Sequence, residues 1–63
     1  MEKLFLYELN DGRTWFYSDW GCPEPHKLKR GVEMEFEWLE LTDMRTMSIN
    51  KLEVRVRRLL DNV

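Results

Sequence analysis

From Val32 to Trp38 the chain reads Val-Glu-Met-Glu-Phe-Glu-Trp, an unbroken alternation of large apolar and acidic side chains. Successive side chains of a β-strand point to opposite faces, so this run makes a strand with one apolar and one carboxylate face. A sheet built on such a strand sets one side on a core and leaves the other in water or against a partner. The pattern dictates an architecture and names no reaction.

The 63 residues make one domain. A chain of this length buries only roughly 60% of its unfolded surface and draws only ~3–5 kcal/mol from a single core. Large side chains compensate: alanine is absent, while Trp15, Trp20, Trp38, Phe5, Phe16, Phe36, Tyr7 and Tyr17 are present. Each aromatic ring can bury ~150–250 Å². A core filled this way leaves little room for an internal ligand cavity.

The single cysteine, Cys22, excludes an intramolecular disulfide framework and fits a reducing compartment. Glu2, Lys3 and Glu8 place charge where a signal peptide would need an apolar run. No segment approaches the ~20 apolar residues that span a bilayer. Beginning at Met1, the chain reads as a whole small gene product, and a cytoplasmic protein is expected. Net charge is −2, but its distribution is uneven. Glu33 to Asp43 holds five acids and no base, whereas Arg45 to Arg58 holds five bases and the one acid Glu53. His26 to Arg30 forms a second basic cluster.

Lys3–Leu9 and Arg13–Asp19 are rich in aromatic and aliphatic residues and flank Asn10-Asp11-Gly12, a strong hairpin signal. With a three-residue loop and Gly12 as its bulge, Leu9 pairs with Arg13, Tyr7 with Trp15 and Phe5 with Tyr17. One face then carries Phe5, Tyr7, Trp15 and Tyr17, and the other Leu4, Leu6 and Phe16. A two-residue loop exchanges the faces of one strand, and the residues leave both registers open. Gly21, Pro23 and Pro25 make Trp20–Gly31 a connector, closed by Gly31. The third strand is expected to run to about Leu41, with a bulge or covered end at Trp38-Leu39. A turn at Thr42-Asp43 would lead to a short fourth strand, Met44 to Ile49. The last segment is read as a helix over residues 50–61, with Leu52, Val56, Leu59, Leu60 and Val63 on one arc continued by Ile49. Asn50 is its expected N-cap with Glu53 three residues on, and Glu53 precedes Arg57 in the favourable i,i+4 order.

Few constellations suggest chemistry. Cys22 and His26 are four apart, but one Cys and one His cannot complete a zinc site, and Asp19 and Glu24 are poor substitutes. A Cys/His nucleophilic pair in this Pro-constrained loop has no anion-stabilising nest beside it. No catalytic residue, metal site or cofactor is therefore expected. Three surfaces are candidates for binding. Glu33, Glu35 and Glu37 form an acidic row that could meet a basic groove on a partner, where the ordinary reading is a solvated sheet face. Lys51, Arg55 and Arg58 fall at i, i+4 and i+7, a basic stripe able to grip phosphates or an acidic partner, or simply a charged outer face. Trp15, Tyr17 and Trp20, with Lys3 and Arg13 alongside, could stack bases, although a domain this small needs most of its rings for the core.

The run Leu28–Glu37 resembles the Leu-x-x-Gly-x-x-Val-x-Phe strand of cold-shock OB domains. The Gly- and aromatic-rich nucleic-acid-binding strands of that family have no counterpart here. The resemblance implies a small β-barrel as the alternative fold and carries over no binding residues.

The expected fold is α+β: an antiparallel sheet of three or four strands covered on one face by a C-terminal helix. Val32, Met34, Phe36 and Trp38 would pack on Leu52, Val56, Leu59 and Leu60. The alternative is an SH3- or OB-like barrel in which residues 51–58 form the last strand. The expected function is a non-enzymatic protein-binding factor, an inhibitor or adaptor occupying a surface of a larger protein, in a size class that bacteriophages and mobile elements often encode. The competing expectation is a single-stranded nucleic-acid-binding module. A membrane partner is not expected.

Overall fold

The computed structural model describes residues 2–17 and 24–63. Strand β1 (Glu2–Leu9) pairs antiparallel with β2 (Thr14–Tyr17) and with β3 (Leu28–Phe36), in the order β2-β1-β3. A short 3-10 turn, Pro25–Lys27, leads into β3, and two helices follow, α1 (Trp38–Thr46) and α2 (Ile49–Asp61). The fold is α+β with an open sheet, not a closed barrel. Residues 51–58 lie inside α2.

The hairpin adopts the three-residue loop. Phe5 pairs with Tyr17, Tyr7 with Trp15 and Glu8 with Thr14. The Leu9 N–H donates to the Arg13 carbonyl at 2.8 Å, and Gly12 N–H to the Leu9 carbonyl at 2.9 Å. Gly12 has φ +90°, the left-handed region that glycine enters without a Cβ clash. The Asp11 carboxylate accepts from Arg13 N–H at 3.0 Å and from Arg13 Nε at 3.0 Å. The backbone hydrogen bond first, and then the guanidinium, hold its carboxyl below the ordinary aspartate range. Asn10 ties the hairpin to the turn before β3, its N–H donating to Lys27 O and its Nδ2 to His26 O, both at 2.8 Å.

The inner face of β1 presents Leu4 and Leu6, and β3 adds Phe36 at its end. Leu41 and Met44 of α1 and Leu52, Val56 and Leu60 of α2 complete one core, with Phe16, Val32, Met34, Met47 and Leu59 at its margin. On the other face the Phe5 and Tyr7 rings stack at 5.8 Å between centroids. Gly31 sits inside β3 opposite Tyr7, not at the end of a connector. A Cβ there would lie 2.5 Å from Phe5 Cζ, so the missing side chain makes room for that ring.

Several expectations are corrected. β3 ends at Phe36, and no fourth strand follows: residues 38–46 are helical. The apolar pair Trp38-Leu39 marks the first turn of α1, which buries Leu41 and Met44 three apart, so Trp38 is 65% exposed and lies outside the core. Ser48, not Asn50, caps α2, its Oγ accepting from Lys51 N–H at 3.4 Å. The helix therefore starts one residue before Asn50, and Ile49 and Val63 are exposed. The anticipated Glu53–Arg57 pair does not form; the Arg57 guanidinium turns to the Gly12 carbonyl at 2.7 Å.

Candidate functional site

The acidic residues divide between two elements. Glu33 and Glu35 stand exposed on the outer face of β3, with Phe5 and Lys3 as their respective cross-strand neighbours on β1. Directly opposed residues have Cβ atoms ~4.5–5.5 Å apart, so Lys3 supplies a base beside a row that is base-free in sequence. Glu37 has left the strand. It occupies the N-cap position of α1, and its carbonyl accepts from Leu41 N–H at 3.1 Å. Glu40 follows in the first turn. Acidic residues are common at the start of a helix, where the dipole is positive. None of Glu33, Glu35, Glu37 and Glu40 makes an ion pair among the described residues.

Beside these acids stand Trp38 and Leu39, the latter 78% exposed. Trp38 also edges an open cleft of about 510 Å³ with Glu2, Glu37 and Leu41. The result is an exposed apolar ridge, Trp38-Leu39, flanked in sequence by Glu37 and Glu40. Sequence reasoning placed Trp38 in the core and so missed the ridge. The signal for it was the broken alternation at Trp38-Leu39, followed by the spacing of Leu41 and Met44.

The basic stripe is present on α2 but is partly neutralised. Arg55 Nη1 lies 2.6 Å from Asp43 Oδ2, which also removes Asp43 from the acidic surface. Lys51 and Arg58 make no ion pair among the described residues. With Met47, Asn50, Val54 and Arg55 they line an open groove of about 540 Å³. Val54, half exposed, is an apolar part of its lining.

Of the three rings expected at the aromatic surface, only that of Trp15 is described. Trp15 is half-buried and Tyr7 is buried. Trp20 and Cys22 lie outside the described residues, as does the side chain of Tyr17. His26 is an exposed residue 3.3 Å from Glu24 Oε2. Among the described residues no group of three or more His, Cys, Asp or Glu side chains is placed to hold a metal ion. No described helix is long and apolar enough to cross a membrane.

One charged cluster was not anticipated. Glu8, only 5% exposed, follows Leu4 and Leu6 on the inward side of β1. Its carboxylate receives Arg30 Nε at 2.8 Å, with Lys29 Nζ and Arg57 Nε each at 3.6 Å. Arg30 in turn reaches Asp61 Oδ1 at 2.6 Å. The hydrogen bond to Asp61, and then that to Glu8, raise the Arg30 pKa further above its already high value. The buried Thr14 hydroxyl donates to the Glu53 carbonyl at 2.9 Å. This network joins β1, β2, β3 and α2, and every buried carboxylate oxygen in it has a cation. It holds elements together and leaves no open site.

Compared with protein-family models, with curated proteins and with solved structures, the chain finds no match.

Proposed function

We propose that this protein is a non-enzymatic binding factor, an inhibitor or adaptor that occupies a surface of a larger protein. The observation that carries the reading is the Trp38-Leu39 ridge, 65% and 78% exposed, bordered by unpaired carboxylates at Glu37 and Glu40. Large apolar side chains cost solubility when left in water, and aromatic anchors are the residues that concentrate binding energy at interfaces. The surrounding acids select a partner whose pocket has a basic rim, and steer its approach. Glu33 and Glu35 extend that field along β3. A cytoplasmic site of action and a phage or mobile-element origin accord with a small chain carrying one cysteine.

The nucleic-acid alternative has the weaker support. Of the stripe residues only Lys51 and Arg58 are uncommitted, and two phosphate contacts would give a salt slope of about −1.4 on a single strand. That is too shallow for tight binding.

The test is affinity capture from lysate of the candidate host followed by titration with the captured protein. Trp38→Ala with Leu39→Ala is expected to weaken binding at least tenfold. Reversal of Glu33, Glu35, Glu37 and Glu40 to Lys should lower the on-rate and abolish its salt dependence. Reversal of Lys51 and Arg58 should leave the affinity unchanged. Undiminished binding by the ridge variant would overturn the reading.

A further inference from the structure

The groove on α2 has the features of the ridge in reverse. Its lining is apolar at Met47 and Val54 and cationic at Lys51 and Arg58. Arg55 is held in place by Asp43 at 2.6 Å, which fixes one wall. At about 540 Å³ it falls within the ~300–1,000 Å³ of clefts that take a compact side chain or small ligand. The ridge is apolar and anionic; the groove is apolar and cationic. Neither covers the other within one copy, and Glu37, Glu40, Lys51 and Arg58 lack ion pairs among the described residues. Elsewhere the opposite charges that come together pair across elements: Glu2 with Arg45, Glu8 with Arg30, Asp61 with Arg30.

We propose that the Trp38-Leu39 ridge of one copy docks into the Lys51/Val54/Arg58 groove of a second copy, head to tail. Glu37 and Glu40 then face Lys51 and Arg58, and the indole lies on Val54 and Met47. The proposal rests on the ridge being a binding surface, as inferred above, and assigns it a further occupant. Because the contact joins two different patches, each docked pair still offers a free ridge at one end and a free groove at the other. A heterologous contact that does not close grows into open chains. Two apolar side chains and a few rim charges make a small interface, at the low end of the size range and below ~1,200 Å² in total, so the association is weak and salt-sensitive. A host partner that takes the ridge would cap such chains and disperse them.

The test is sedimentation equilibrium of the intact protein up to about 1 mM, at low salt and at roughly 1 M salt, where the Debye length falls to ~3 Å. Two variants are compared: Lys51→Glu with Arg58→Glu, which spoils the groove, and Trp38→Ser with Leu39→Ser, which spoils the ridge. The expected result is a wild-type average mass that climbs past the dimer with concentration and falls back in high salt. Each variant alone stays monomeric, and their equimolar mixture stops at the dimer, because one intact ridge meets one intact groove. Should either double variant lose its near-ultraviolet dichroism, the exposed single changes Lys51→Glu and Leu39→Lys replace it, each expected to weaken association at least tenfold. A wild type that remains monomeric, a variant that assembles like wild type, or a mixture that forms no dimer overturns the proposal. The groove variant keeps its ridge and so captures a host partner as wild type does. Failed self-association with preserved capture therefore removes this inference alone, and failed ridge-dependent capture removes the functional reading.

Discussion

Glu8 shows how a single residue can sit against the ordinary rule and still be satisfied. Carboxylates are rarely found inside unless paired, and this one is paired with three cations drawn from β3 and α2. Glu8→Gln keeps the shape and removes the charge, leaving Arg30 and Arg57 facing a neutral amide. Those guanidinium groups remain about a third to a half exposed, so water compensates part of the loss. The expected cost is about 2 kcal/mol, below the ~3–5 kcal/mol of a fully buried pair. Urea denaturation should show it as a lower midpoint at unchanged slope, and a midpoint equal to wild type would mean that the network contributes nothing. The residue was legible in principle: Leu4, Leu6 and Glu8 follow the period of two, which puts Glu8 on the core side as firmly as it puts Leu6 there. What the sequence could not display was the set of cations, because Arg30, Arg57 and Asp61 meet only after α2 has folded back across the sheet. Local chemistry was the easier part to read: the Asn10-Asp11-Gly12 turn formed, and of the two registers left open it took the three-residue one, in which Gly12 supplies the positive φ.

At the level of elements, period two was legible and its end was not. Leu28–Phe36 is a strand, with the acids at Glu33 and Glu35 outward and Phe36 buried, as the alternation dictates. The pattern continues unbroken through Glu37 and Trp38 in sequence while the backbone has already changed, since Glu37 becomes a helix cap. Helix α1 has apolar residues on two sides, Leu41 and Met44 inward and Trp38 and Leu39 outward. It therefore shows no clean helical period, and a short strand was the natural misreading of Met44 to Ile49. In α2 the buried residues Leu52, Val56 and Leu60 recur every four positions and the helix was readable; its start was displaced because Ser48 offers the nearer capping oxygen. The contrast between Phe36 and Trp38, two positions apart, gives a sharp test. Phe36→Ala removes a core ring and should cost ~3–5 kcal/mol, comparable to the whole stability, so its amide spectrum should collapse. Trp38→Ala removes an exposed ring and should stay within ~0.5 kcal/mol. Equal losses from the two would put Trp38 back in the core and dismiss the ridge.

Across the whole molecule, all five elements contribute to one hydrophobic cluster. Leu4 and Leu6 of the central strand touch the same cluster as Leu41 and Met44 of α1 and Leu52, Val56 and Leu60 of α2. A small sheet needs its apolar face covered to be stable, and a 13-residue helix is marginal alone in water. The Glu8 network and the Thr14 bond to Glu53 add polar ties between the same layers. With only ~3–5 kcal/mol to hold the chain together, no subset of elements outlives the rest. The amides of Leu6 in β1 and Val56 in α2 should therefore exchange with solvent through one global opening. Their protection should be alike, roughly 10²–10⁴-fold, and should fall with the same slope as urea is added. Hydrogen exchange followed residue by residue measures both quantities directly. If Val56 exchanges tenfold or more faster than Leu6, α2 opens by itself, and the groove it carries becomes a surface that can be released without unfolding the sheet.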